Sequence, residues 1–352
     1  VPVARTRSTT RRLRTRPVVA VATLLALGVA GCSSDDESDD STSTASEGAG
    51  SGYPISIDSA LGTATIESEP ERIVTIGKGA ADTVFALGHT PVGIEEDTWS
   101  GDEDGYNPWF REAVENAGEE LPATFAAYPE LDMDAVVGLQ PDVILAPQSG
   151  LTQDDFDVLN ELAPTVAYPG DPWSTPWDTS IELIGQALSQ EEDAATLIDD
   201  IDAEFDRAAA DHPELEGVTF AYLYTGEPGE LGVMRPDEPR SAFVSKLGLT
   251  PAPFIEEQPV TEGTSSSTLG LENADLLDDT DVVINWFSDA DQQAQIEEQP
   301  LYAQIPAVER GSYVVSYDRY SVTATSLLTP LTVPWAVDEY ADRLAEAVAL
   351  LD

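Results

Sequence analysis

Between Pro176 and Pro213 the chain carries no strand signal; instead Ile181, Ile184, Leu188, Leu197, Ile201, Phe205 and Ala208 recur at roughly helical spacing. Ser189 ahead of Glu191 and Glu192 reads as an N-cap with acids in the first turn. Two helices are expected, the second over residues 190–210, which at 1.5 Å per residue spans roughly 30 Å. This stretch constrains the fold because the chain on either side of it is of another kind. Before it, residues 73–77 read as an apolar strand, 80–87 as a helix stopped by Gly88, and 92–95 as a second strand. A helix over 132–139, a buried strand over 142–146, a helix over 153–162 and a strand over 165–168 follow. After it the alternation restarts: strands at 219–225 and 230–234, helices at 240–247 and 271–277, strands at 281–287 and 313–317, and a closing helix at 335–350. Strands alternating with helices imply mainly parallel sheets covered on both faces. The expected fold is α/β, two α/β halves joined by one long helix: residues 53–177 as the N-terminal lobe, 178–212 as linker helices and 213–352 as the C-terminal lobe. A hairpin, 55–58 with 64–67, leads into the first lobe.

The first 31 residues stand apart. Arg5, Arg7, Arg11, Arg12, Arg14 and Arg16 precede an uncharged apolar run from Val18 to Ala30. Such a run is shorter than the ~20 residues a spanning helix needs, and the layout is that of a secretory signal. Val29-Ala30-Gly31-Cys32 resembles the lipobox of bacterial lipoproteins, in which the cysteine is acylated and becomes the new N-terminus; an ordinary signal with an incidental cysteine is the other reading. Cys32 is the only cysteine, which excludes disulfides within the chain. Residues 32–52, rich in Ser, Asp and Gly, read as a disordered tether between a lipid anchor on the outer face of the membrane and the folded part. Removing the signal takes six of 16 basic residues and leaves 10 against 66 acids, a formal charge of −56. Nucleic acid binding needs a basic face and is excluded.

The chemical inventory argues against catalysis. The two histidines, His89 and His212, lie in no metal-ligand spacing, and no G-x-S-x-G, P-loop or G-x-G-x-x-G occurs; Gly77-Lys78-Gly79 is too short to count. With 66 carboxylates, an acid/base pair chosen by spacing carries no weight. Aromatic residues, in contrast, gather where strands end. Trp99, Tyr106, Trp109 and Phe110 lie in a polar Gly/Asp-rich stretch read as loop; Trp173 and Trp177 follow a strand; Tyr224 and Trp286 end strands; Tyr317 and Tyr320 flank Arg319. Ligands of parallel sheets bind beyond the carboxyl ends of the strands, so these residues suggest an aromatic cleft, with packing as the blander role of any one of them. Arg235 and Arg240 are scarce cations beside an expected strand end, suited to the oxygens of a chelate or to pairing with nearby acids.

Pro70-Glu71-Arg72-Ile73-Val74 with residues 81–88, Leu139-Gln140-Pro141-Asp142-Val143-Ile144-Leu145, Leu162-Ala163-Pro164-Thr165-Val166, Asp281-Val282-Val283-Ile284 and residues 305–311 follow one another at characteristic spacing. In that order and spacing they resemble the family of ABC-importer binding proteins for iron–siderophores, haem and cobalamin, the class III periplasmic binding proteins. The resemblance implies two Rossmann-like lobes on a rigid helix, a ligand held between them, and one carboxylate per lobe that docks onto arginines of the permease. Asp134 and Glu272 match those carboxylates; Asp134 is one methylene shorter than the family's usual Glu, and Glu130 can share its role. Charge complementation at a helix N-terminus is the structural alternative for both.

The expectation is a monomeric binding protein without turnover or cofactor, whose ligand is a ferric siderophore and whose partner is an iron-siderophore ABC permease. Its ligand contacts are expected at Tyr106, Trp109, Trp173, Tyr224, Arg235, Arg240, Trp286 and Tyr317, with lipidation at Cys32 and no protein metal ligands. From the −56 charge, neutral or cationic hydroxamate complexes are expected to bind at least as well as anionic citrate or catecholate ones, with Arg235 and Arg240 pulling the other way. The alternatives are a haem or cobalamin carrier of the same family, an extracellular hydrolase, or a purely structural surface lipoprotein.

Overall fold

The computed structural model describes residues 52–351; the expected signal segment, Cys32 and nearly all of the tether lie outside the described residues. The chain enters through an antiparallel hairpin, β1 (Ile55–Asp58) and β2 (Thr63–Ile66), whose alternate residues Ile57, Ala64 and Ile66 are buried. Its N-terminal lobe runs β3 (Ile73–Thr75), α1 (Ala80–Ala86), β4 (Gly93–Glu95), α2 (Pro108–Ala117), β5 (Ala123–Phe125), α3 (Met133–Gly138), β6 (Val143–Leu145), α4 (Gln153–Leu162) and β7 (Thr165–Val166). The strands form one parallel sheet in the order β5-β4-β3-β6-β7. Every residue of β3 and β6 is buried, as strands covered on both faces must be.

Two helices follow, α5 (Trp177–Ala187) and α6 (Glu191–Asp211). The expected N-cap is corrected: Ser189 has φ 56 and closes α5, donating its N–H to the Gln186 carbonyl, and α6 is capped at Gln190. The α6 helix buries Ala194, Ile201, Phe205 and Ala208 along one face, and Phe205 meets Phe243 edge-on at 4.8 Å. A salt bridge of 2.6 Å from Lys246 to Asp202 adds a second tie, so the second half of α6 is packed onto the second lobe.

The C-terminal lobe comprises β8 (Thr219–Tyr224), β9 (Gly232–Met234), α7 (Pro239–Lys246), β10 (Thr250–Pro251), α8 (Phe254–Glu257), β11 (Ser266–Thr268), a 3₁₀ segment (Leu271–Leu277), β12 (Val282–Trp286), α9 (Ala290–Glu297), α10 (Pro300–Ala303), α11 (Pro306–Arg310), β13 (Tyr313–Ser316), α12 (Arg319–Ala324) and α13 (Thr332–Val348). The sheet order is β11-β9-β8-β12-β13, with β10 also on β8. Here the parallel pattern is only partial: β9 pairs antiparallel with β8, and β11 antiparallel with β9. The cause is the link between β8 and β9, a helix-free turn through Gly229 that is too short for a parallel crossover. Residues 271–277, expected as a helix, wind as 3₁₀ with non-helical angles at Asn273.

The lobes also meet away from the linker. Ile94, Trp109, Phe110 and Val114 share a buried cluster with Ala324 and Ala336, and Trp109 stands edge-on to Trp335 at 5.6 Å. Beside it Asp82, fully enclosed in α1, accepts hydrogen bonds from Trp109 Nε1 at 3.1 Å and from Thr329 Oγ1 of the other lobe at 2.7 Å. Burial pushes its carboxyl up to about 6, against the pull of those two donors. Among the described residues no helix is long and apolar enough to cross a membrane.

Candidate functional site

A cleft of about 620 Å³ opens between the lobes. The N-terminal lobe contributes Lys78, Gln148, Trp173 and Thr175, from the connections that follow β3, β6 and β7. The C-terminal lobe contributes Asp237, Ser265, Ser326 and Thr329. The site thus lies beyond the carboxyl ends of the N-terminal sheet, where a doubly wound sheet leaves a crevice.

Lys78 is placed by backbone chemistry. Gly77 and Gly79 both have left-handed φ (88° and 74°), which turns the chain sharply from β3 into α1. At Gly77 a Cβ would fall 2.1 Å from the Gln148 carbonyl oxygen, so only glycine fits. Its N–H donates to Glu95 Oε2 at 2.7 Å, and the Lys78 N–H to the Gln148 carbonyl at 3.0 Å. The Lys78 ammonium reaches Asp97 Oδ2 at 3.1 Å. Burial pushes the Asp97 carboxyl up, but Lys78 and the Ser100 and Trp99 N–H groups outweigh it and hold the group below its ordinary value. Burial raises Glu95, with Lys78 and the Gly77 N–H only partly offsetting it.

Trp173 is half exposed in the cleft, with a left-handed φ of 60° that a bulky residue seldom adopts. Three hydrogen bonds hold that conformation: Trp173 N–H to the Ser149 carbonyl at 3.0 Å, Gln148 Nε2 to the Trp173 carbonyl at 3.1 Å, and Thr175 N–H to Gln148 Oε1 at 2.9 Å.

Tyr224, Trp286 and Tyr317 stand at the carboxyl ends of β8, β12 and β13, adjacent strands in parallel register. Tyr224 and Tyr317 are 46% and 54% exposed, and all three lie outside the lining of the 620 Å³ space. Trp286 instead meets Trp99 of the other lobe edge-on at 6.1 Å, and the Arg319 guanidinium sits 4.7 Å over the Trp99 ring. Together these form an aromatic bridge between the lobes.

Other expected contacts have structural duties. Tyr106 and Trp109 do not lie in an open loop: Tyr106 is 7% exposed, with its hydroxyl donating to the Pro122 carbonyl, and Trp109 is 3% exposed on α2. The Pro108 start of α2 was hidden by the polar run before it. Arg235 donates through Nη1 to the carbonyls of Ile255 and Gln258, at 2.6 and 3.1 Å, pinning a loop. Arg240 is bound at 2.5 Å to the buried carboxylate of Glu238. The remaining cations are engaged too: each of the ten lysines and arginines of the described residues makes at least one hydrogen bond or ion pair within the chain.

Asp134 is exposed in the first turn of α3, behind the cap that Asp132 makes to the Ala135 N–H, and Glu272 is exposed at the start of the 3₁₀ segment. Each segment leads into a strand of its parallel sheet, β6 or β12, and so begins at the edge where the cleft opens. Among the described residues no group of three or more His, Cys, Asp or Glu side chains could hold a metal ion.

The residues that sequence reasoning missed are Lys78 and the hydroxyl and amide groups. Lys78 had a signal: it is one of two lysines after the signal segment, set between glycines at a strand end. Gln148, Thr175, Ser326 and Thr329 had none, because neutral polar residues are common in every loop.

Residues 73–319 match the family model described as periplasmic binding protein. The chain is 26% identical over 290 residues to the ferric enterobactin-binding periplasmic protein FepB of Escherichia coli O6:H1, covering 76% of this chain and 87% of that one. PiaA of Streptococcus pneumoniae TIGR4, solved in complex with ferrichrome, superposes with a TM-score of 0.75 at 28% identity, over 84% of this chain and 99% of that one. A periplasmic solute binding protein of Mycobacterium smegmatis gives a TM-score of 0.70 at 27% identity, over 84% and 98% of the two chains. The family match runs from β3 into the first turn of α12 and so takes in both sheets and the linker between them: the chain belongs to the periplasmic binding protein family.

Proposed function

We propose that this chain is the extracytoplasmic solute-binding protein of an ABC importer, which captures a ferric siderophore between its lobes and delivers it to the permease without turnover. The observation that carries the reading is the interlobe cleft of about 620 Å³, within the 300–1,000 Å³ usual for small-molecule sites. It is lined by an exposed indole, hydroxyls and an amide. Relatives named for ferric enterobactin and solved with ferrichrome support the choice of cargo. The iron arrives inside its chelator, so the protein needs no metal ligands of its own.

The internal engagement of all ten described cations favours an uncharged complex. An anionic catecholate or citrate complex would have to compete with the buried carboxylates of Asp97 for Lys78 and of Glu238 for Arg240. The ligand contacts we assign are Trp173 and Lys78 in the cleft and Tyr224, Trp286 and Tyr317 on its aromatic rim. Asp134 and Glu272, exposed at the cleft edge of their lobes, are the docking carboxylates for arginines of the permease, with Glu130 beside the first. The lobes are residues 53–177 and 213–352, carried on 178–212, and the monomer is held at the outer face of the membrane through acylated Cys32 and the tether 32–52.

The test is tryptophan fluorescence of the soluble domain from Tyr53, titrated with ferric hydroxamate, catecholate and citrate complexes, haem and cobalamin. Saturable quenching by a neutral ferric hydroxamate at submicromolar concentration is expected. Binding of haem or cobalamin alone would overturn the cargo, binding of anionic complexes alone would overturn the charge argument, and no binding would overturn the transport role.

A further inference from the structure

The space around Trp173 is divided. Against the 620 Å³ cleft lies a second hollow of about 630 Å³ on the N-terminal lobe, lined by Tyr128, Glu130, Leu131, Gly150, Thr152 and Asp155 among others, and a smaller one of about 180 Å³ beside Lys78, Asp97, Trp99 and Tyr128 borders Trp173 as well. Trp173 is the one residue that lines both of the larger spaces. We infer that its indole is a partition that sets the size limit of the bound chelate, and that Gly150 is the positioning residue on which it rests. This inference rests on the binding reading above and names what the cleft admits: a compact ferric chelate, with chelates bearing a bulky arm excluded.

Two independent observations fix the indole. The first is the strained left-handed backbone of Trp173, held by Gln148, Ser149 and Thr175; such strain persists only where the surroundings over-determine it. The second is Gly150. Its φ lies outside the left-handed region, so the backbone itself does not require glycine. Space does: a Cβ there would lie 2.3 Å from Trp173 Nε1, 2.6 Å from Cε2 and 2.8 Å from Cζ2. The ring lies on the bare Cα of Gly150, and any side chain at 150 lifts it from its seat.

The partition is also a lever for selectivity. With the indole in place, an arm attached to the chelate would have to displace a ring that rests on Gly150 and is carried on a pinned main chain. Forcing extra atoms against a packed wall costs about 1–3 kcal/mol, or roughly five- to 150-fold in affinity. With the indole removed, the cleft and the second hollow join, and an arm has room to lie toward Tyr128.

Calorimetric titration of the soluble domain with two probes tests this: a cyclic ferric trihydroxamate, and the same chelate carrying a long acyl arm. The wild-type domain should prefer the compact probe by at least about fivefold. Trp173→Ala should weaken the compact probe through lost stacking while erasing the preference. Gly150→Ala should shift the preference in the same direction with the indole still present and its emission altered, and the double variant should go no further than Trp173→Ala alone. Trp173→Phe should retain most of the preference. If Gly150→Ala does not fold, the Ala and Phe variants at 173 still decide the matter. An unchanged ratio of affinities in Trp173→Ala overturns the partition while leaving the binding role standing. Additive effects of the two substitutions overturn the role of Gly150. Failure of the wild-type domain to bind either probe overturns the binding role and this inference together.

Discussion

The two lobes face one cleft with different means. On the N-terminal side the cleft wall is set by main chain: two left-handed glycines turn β3 into α1 and present Lys78, and a left-handed Trp173 is clamped by Gln148 and Ser149. On the C-terminal side the rim is set by side chains that stand free, Tyr224 and Tyr317 being about half exposed, while the arginines nearby are used inside the lobe. The difference teaches where specificity and adaptability reside. A wall made of strained backbone is preorganised and loses little entropy on binding; a rim of exposed tyrosines adjusts to the ligand and gives up rotamer freedom when it does.

Substitutions can break this contrast, and the largest effect belongs on the N-terminal side. Gly77→Ala meets both a left-handed φ and the Gln148 carbonyl, so it should cost about 3–4 kcal/mol in urea unfolding and misplace Lys78. An unfolding midpoint equal to wild type would show that the wall is not set by backbone.

Next comes the seam between the lobes. Asp82 titrates from an ordinary carboxylate value near 3.8 when unfolded to about 6 when folded. Between those values the folded protein binds more protons than the unfolded one, so this group's contribution to stability is present in full below pH 3.8 and is lost as pH rises through 6. At about 1.36 kcal/mol per unit the loss is roughly 3 kcal/mol. Asp82→Asn keeps an acceptor for Thr329 and Trp109 without the titration. Its stability relative to wild type should therefore climb between pH 4 and 7; a constant difference across that range would refute the assignment.

The smallest effect on folding belongs to the C-terminal rim. Tyr317→Ala should leave stability within about 0.5 kcal/mol of wild type and weaken a ferric hydroxamate about fivefold, a contribution of roughly 1 kcal/mol. A folding loss comparable to that of Gly77→Ala would erase the distinction between wall and rim.

What the sequence disclosed, and what it hid, follows the same line. Long periodic elements were legible: residues 190–210 read as one helix, and the structure has Glu191–Asp211, because one face of apolar residues every three or four positions leaves no other solution. Strands such as Val143–Leu145 were legible because burial on both faces demands an unbroken apolar run. Short edge strands were not: Ser266–Thr268 is a row of hydroxyl residues with no alternation to detect. The antiparallel course of β9 follows from its connection and not from the strand itself: strands at 219–225 and 230–234 leave four residues between them, too few for a parallel crossover.

A tryptophan after a strand end stands in the cleft at Trp173, whereas Trp109, read by the same signal, lies in a seam between the lobes. Aromatic residues serve both duties, and only the tertiary contacts separate them. Of the two arginines, Arg240 takes the pairing with a nearby acid that the sequence allowed, whereas the partners of Arg235 are backbone carbonyls, which leave no trace in sequence.

The central claim is a place, the cleft between the lobes, and the most direct measurement is the position of iron. Crystals of the soluble domain grown with a ferric hydroxamate, measured at the iron absorption edge, should give one anomalous peak between the lobes, bounded by Lys78, Trp173 and Thr329. A peak on the acidic outer surface, or in the hollow beside Tyr128 with the cleft empty, would contradict the account.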